Sequence, residues 1–198
     1  AAQTSVGGAA ILTYDLPDGW DGPVRIDGVL APAAPAMPEP ALCADRNALL
    51  AVRNGETAAI VLDWLDYHIT HHGLTAAVIL DRARPDSDPA FATELQAGLS
   101  LLSGNCTVVL VTADQPLGRK TLPAEAHPFC VPGAPGKDRM VVPPPDPWTS
   151  PFAALNWYEL ARHRFLSAAR AVANIDVHDL LVPDDTSVFD SAVASDTG

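Results

Sequence analysis

The sequence predicts an α/β protein: a Rossmann-like parallel sheet flanked by helices, with a small N-terminal β hairpin or sheet in front. Three observations predict it. Three continuous apolar runs, at 48–52, 75–81 and 106–112, lack the alternation of a half-exposed strand. That is the pattern of strands buried on both faces of a parallel sheet. Helical periodicity fills the intervals between them, and the connections are short, so the β-α-β-α-β order implies right-handed crossovers.

Residues 1–45 have a separate texture. The segments 9–14 and 24–30 read as two short strands, and the turn chemistry of 18–23 between them predicts a hairpin. Residues 31–40 carry Pro32, Pro35, Pro38 and Pro40, a linker that favours extended backbone. The division expected is therefore 1–45 for hairpin and linker and 46–198 for the α/β domain. Within the latter, 48–52 is the first strand. Ile60, Val61, Trp64, Leu65 and His68 then recur at helical spacing over 56–72. After the second strand, Leu95, Leu99 and Leu102 share one helical face of 89–103. Residues 113–150 hold nine prolines and little periodicity, a long loop of the kind that usually serves function. A helix over 151–170 follows, with Phe152, Leu155 and Phe165 among its apolar positions, and then a fourth strand over 171–177. The acidic tail, 184–198, is expected to fray at its end.

Composition bounds the function. The chain has 198 residues, 48% hydrophobic and 18% charged, a globular balance. A net charge of -12 argues against nucleic-acid binding through a basic surface. An acidic protein holding a phosphorylated ligand must gather positive charge locally, from a few cationic side chains, a helix N-terminus or a metal ion. Cys43, Cys106 and Cys130 form no CxxC pair and read as buried free thiols of a reducing compartment. No run approaches the ~20 apolar residues of a membrane span, and residues 1–10 lack the features of a signal peptide. A cytoplasmic location without a transmembrane segment is expected. P-loop, dinucleotide-fingerprint and nucleophile-elbow motifs are absent.

Ligands of open α/β sheets sit beyond the carboxyl ends of the strands. The residues there are Arg53, Asn54 and Glu56, then Asp81, Arg82 and Arg84, then Thr112 and Asp114, then Asp176, His178 and Asp179. Arginines suit phosphate, carboxylates suit metal or ribose hydroxyls, and imidazole suits metal. Arg82 and Arg84 read as solvated. His68, His71 and His72 have the spacing of a helical metal site but no HExxH, and cations near a helix C-terminus are favourable without any ligand. The Asn105-Cys106-Thr107 sequon opens a strand expected to be buried and is discounted.

Three segments, 52–56, 62–68 and 78–81, together with 174–183, resemble family 2-like bacterial glycosyltransferases. Val52-Arg53-Asn54-Gly55-Glu56 is similar to their V-K-N-E opening. Asp63-Trp64-Leu65-Asp66-Tyr67-His68 is similar to E-W-L-x-Y-H, and Ile175-Asp176-Val177-His178-Asp179 to I-D-x-D-E. The resemblance spans 47–190 and implies the nucleotide-sugar-binding half of a GT-A fold. Arg53, Asn54, Glu56, Asp81 and Asp176 would meet the sugar nucleotide. Asp176, His178 and Asp179 would hold a divalent metal, Mn²⁺ or Mg²⁺, bridging the diphosphate. His178 departs from the family's second Asp, which removes a charge and suits hard Mg²⁺ less well. The acceptor-binding half and catalytic base expected after Asp176 have no counterpart in 177–198. The implied activity is transfer of a sugar from a nucleotide-diphospho-sugar to a glycan or similar acceptor. The alternative is a non-catalytic or regulatory module binding a nucleotide sugar or a protein, and a third reading is a Rossmann-like binding domain unrelated to sugars.

Overall fold

The computed structural model describes residues 37–112 and 154–195 continuously, with 2–6, 9–13, 15–18, 20, 22–23, 25–26, 29–30, 116 and 148. Nearly all of the proline-rich stretch 113–150, part of the linker, Phe152, Asp114 and Cys130 lie outside the described residues. The elements are β1 (Ala2–Val6), β2 (Ala9–Thr13), β3 (Arg25–Ile26), β4 (Val29–Leu30), β5 (Asn47–Arg53), α1 (Ala58–His72), β6 (Ala76–Asp81), α2 (Phe91–Gly98), β7 (Thr107–Thr112), α3 (Ala154–Ala161), β8 (Ala171–Asn174) and α4 (Val188–Ala194).

The N-terminal strands pair differently from expectation. Strand β2 pairs with β1, Ala2 opposite Thr13, and β3 pairs with β4, Arg25 opposite Leu30. Pairing between segments close in sequence costs less loop-closure entropy than pairing 9–14 with 24–30. Strands β1 and β2 lie against α3.

Strands β5 to β8 form one all-parallel sheet in the order β7-β6-β5-β8, flanked by helices, a Rossmann-like α/β arrangement. The order reverses between β5 and β8, which makes a topological switch point there. Strands β5 and β6 are buried almost end to end. Successive side chains point to opposite faces, so each strand feeds two cores. Leu49, Ala51, Ala77 and Ile79 meet Val61, Trp64 and Leu65 of α1, Phe91 and Leu95 of α2, and Phe189 of α4. On the other face, Leu50, Val52, Val78 and Leu80 meet Cys43, Ala161, Phe165 and Leu166. Each large side chain so buried contributes roughly 1.5–3 kcal/mol.

Helix α1 begins where Thr57 Oγ1 accepts the Ile60 N–H and ends at Gly73, whose φ of 63° is the left-handed cap geometry glycine permits. Its predicted core positions Val61, Trp64, Leu65 and His68 are buried, whereas Ile60 is exposed. Helix α2 passes into a 3-10 turn at Leu99–Leu101, and α3 into a π turn at Arg162–Leu166. Of the apolar positions named in 151–170, Phe165 is buried and Leu155 is exposed. Helix α4 lies in the tail where only fraying was expected; Ser187 caps it and Phe189 anchors it in the core. No helix among the described residues is long and apolar enough to cross a membrane.

Candidate binding site at the carboxyl edge of the sheet

The parallel register aligns Arg53 with Asp81 and Asp81 with Thr112, so three strand ends form one row. Strand β8 stops lower, at the level of Leu50, where the Ile175 N–H still donates to Leu50 O at 3.2 Å. The fourth strand is thus shorter than the 171–177 expected, and the turn 176–179 fills the space beside the end of β5.

Arg53 organises the edge. It is only 1% exposed. Nε donates to Glu56 O at 2.7 Å and Nη1 to both Asp81 oxygens at 3.1 Å, while Nη2 pairs with Asp88. The guanidinium lies over the Phe91 ring, 3.5 Å from its centroid. Asp81 also accepts the Ala83 N–H at 2.9 Å, which bends the chain away from the sheet. A buried guanidinium facing two carboxylates is a compensated charge, not one held out for a phosphate. A carboxylate offers about four acceptor sites, and three at Asp81 are taken by these donors.

Beyond this row lies a cavity of about 290 Å³. Arg53 and Asp81 form its inner end, Phe91 and Leu110 its apolar wall, and Arg84 and Asp86 stand on the loop that closes it. That loop turns at Asp86, whose φ is 63°. The signal for Asp88 and Phe91 was present only as a Pro/Asp-rich stretch between a strand and a helix; nothing in it announced that both would embrace Arg53.

Glu56 and His178 meet across the switch point. Glu56 Oε2 accepts the Asn54 N–H at 2.6 Å, and Oε1 lies 2.8 Å from His178 Nε2. The Glu56 side chain is 6% exposed and that of His178 67%. Asn54 itself is exposed and takes part through its backbone. Asp176 and Asp179 are both exposed and engage each other: the Asp176 N–H donates to Asp179 Oδ2 at 3.3 Å and the Asp179 N–H to Asp176 O at 2.9 Å. Burial, then the nearby charge of Asp176, pushes the Tyr158 hydroxyl above its ordinary range, and Arg82 opposes this. Arg82 is part-buried rather than fully solvated and donates to Trp148 O at 3.0 Å.

These contacts do not suit a divalent metal on Asp176, His178 and Asp179. One imidazole nitrogen is committed to Glu56 and one carboxylate caps its own turn. Among the described residues, no group of three or more His, Cys, Asp or Glu side chains is placed to hold a metal ion. The histidines of α1 are not a ligand set either; His68 and His72 bind backbone. Cys43 and Cys106 are free thiols, and burial pushes Cys106 up to about 12, far from thiolate reactivity.

Comparison with known proteins finds no matching family model, no matching curated protein and no matching solved structure.

Proposed function

We propose that this chain is a glycosyltransferase-like binding module that takes a nucleotide sugar, or its nucleoside end, in the cavity beyond β6 and β7 without a metal ion at 176–179. The Glu56–His178 contact carries the reading, since it closes the switch point where the resemblance implies a metal-bound diphosphate. Support for a ligand at this edge comes from the sheet order, the strand-end row and a cavity joining an apolar wall to carboxylates. Arg53 serves this site by fixing Asp81 and Asp88, and Asp81 keeps acceptor capacity for a hydroxyl. Sugar transfer to an acceptor is the reading this one replaces. It asks Asp176, His178 and Asp179 to converge on an ion, whereas two of the three are spent on Glu56 and on their own turn.

Calorimetric titration of UDP and of GDP, in EDTA and in Mn²⁺, tests the proposal. Equal affinity in both conditions is expected, unchanged in Asp176→Ala and weakened at least tenfold in Ala92→Trp, which fills the cavity from an exposed position. Binding that requires Mn²⁺ and vanishes in Asp176→Ala would restore the metal-assisted transfer reading. No binding of either nucleotide would remove the nucleotide ligand altogether.

A further inference from the structure

The segment that carries Asp176, His178 and Asp179 is strapped to α1 by polar side chains acting on its backbone. Trp64 Nε1 donates to Asp179 O at 3.0 Å, and Tyr67 Oη donates to Leu181 O at 2.7 Å. His72 Nε2 lies 3.0 Å from the same oxygen, and the Ser187 hydroxyl donates to His72 O at 2.9 Å. His68 takes the Leu181 N–H, which belongs to the preceding peptide group. Its Nδ1 lies 2.7 Å from Trp64 O and its Nε2 is 3.4 Å from the Leu181 nitrogen.

Donor and acceptor logic fixes the state of His68. Trp64 O can only accept, so Nδ1 carries the proton. The Leu181 N–H can only donate, so Nε2 presents a lone pair. Both nitrogens of the neutral ring are therefore used, in a side chain that is fully buried. A second proton at Nε2 would aim N⁺–H at an N–H. The titratable groups bearing on His68 offer no relief: they are His71 and His72 of its own helix, and both disfavour a second proton on its ring, with ring centroids 5.8 Å apart for His68 and His72. The strap contributes only backbone groups to the contact, and Tyr67 presents its ring, with centroids 5.1 Å apart. His72 worsens the case, since its Nδ1 is buried with no hydrogen-bond partner.

We propose that His68 is a proton-operated latch: neutral, it accepts the Leu181 N–H and holds the 176–187 strap; doubly protonated, it lets the strap go. Burial, the largest cause, holds the His68 pKa below its ordinary 6.5. The closed strap therefore prefers neutral His68, and opening takes up one proton. The latch stands on the hydrogen-bond geometry of His68 and does not rest on the function proposed above.

The test is amide exchange of Leu181 in the whole chain, with the His68 ring titration followed by NMR in the same samples. After correction for intrinsic exchange, protection in the wild type should fall by about tenfold between pH 7.5 and 5.5, the change one proton uptake allows. In His68→Gln, which keeps an acceptor and cannot be protonated, it should be flat with pH. An equal fall in His68→Gln would assign the effect to another group and overturn the latch. If that variant does not fold, the wild type still decides: His68 becoming protonated with Leu181 protection unchanged overturns the proposal. Nucleotide affinity plays no part in this readout, so the two proposals fail separately.

Discussion

At the scale of single residues, the edge of the sheet depends on Arg53. A strand-end arginine read from sequence looks like a phosphate ligand, because nothing local reveals what will face it. The fold supplies Asp81 from the neighbouring strand, Asp88 and Phe91 from the following loop and helix, and the carbonyl of Glu56. Breaking such a buried pair from one side leaves an uncompensated carboxylate and costs about 3–5 kcal/mol. Urea unfolding of Arg53→Met should show a loss of that order, with part of it recovered in Arg53→Met/Asp81→Asn. A loss below about 1 kcal/mol would mean that Arg53 is solvated and free for a ligand. Asp176, His178 and Asp179 carry the converse lesson: adjacency in sequence suggested one ligand set, yet the turn sends His178 to Glu56 and folds Asp179 onto Asp176 N–H.

Elements were more legible than sites. The runs at 48–52 and 75–81 became β5 and β6, because strands buried on both faces must be apolar throughout; the run at 106–112 became β7, which stands at the end of the strand order and is only half-buried, contrary to the burial expected of it. Helix α1 was legible from its period over 56–72; its caps, Thr57 and Gly73, come from the structure. The N-terminal pairing was not legible because strands of two to five residues carry too little alternation to specify a partner, and α4 was not because a short helix held by one phenylalanine has too few residues to display a period. The packing of α1 on α2 makes a prediction at this scale. A Cβ on Gly98 would stand 2.1 Å from Leu62 Cδ1. Gly98→Ala should therefore destabilise by about 1–3 kcal/mol through overpacking, and Gly98→Ala/Leu62→Ala should cost less than the sum of the two single changes. Additive losses would mean that the helices do not touch there.

For the whole molecule, the order β7-β6-β5-β8 puts the ends of β5 and β8 on either side of the reversal. Strand order leaves no local trace in sequence, so the strand-end residues could be nominated but not arranged. The same architecture couples global stability to pH through His68. Its folded pKa lies below 6.5, so the unfolded chain binds more protons in the window just below that value. Stability should be full above pH 6.5 and decline as the pH falls through it toward the lowered folded value. Thermal unfolding of wild type and His68→Gln between pH 7.5 and 5 should show the decline only in the wild type.

The central claim, a metal-independent nucleotide site at the carboxyl edge, is tested most directly by amide chemical-shift mapping of the EDTA-treated protein during addition of UDP or GDP. Shifts concentrated at Asp81, Ala83, Phe91 and Thr112, around the cavity, are expected, with the same pattern when Mn²⁺ is present. Shifts that arise only with Mn²⁺ and centre on Asp176, His178 and Asp179, or no shifts with either nucleotide, would contradict it.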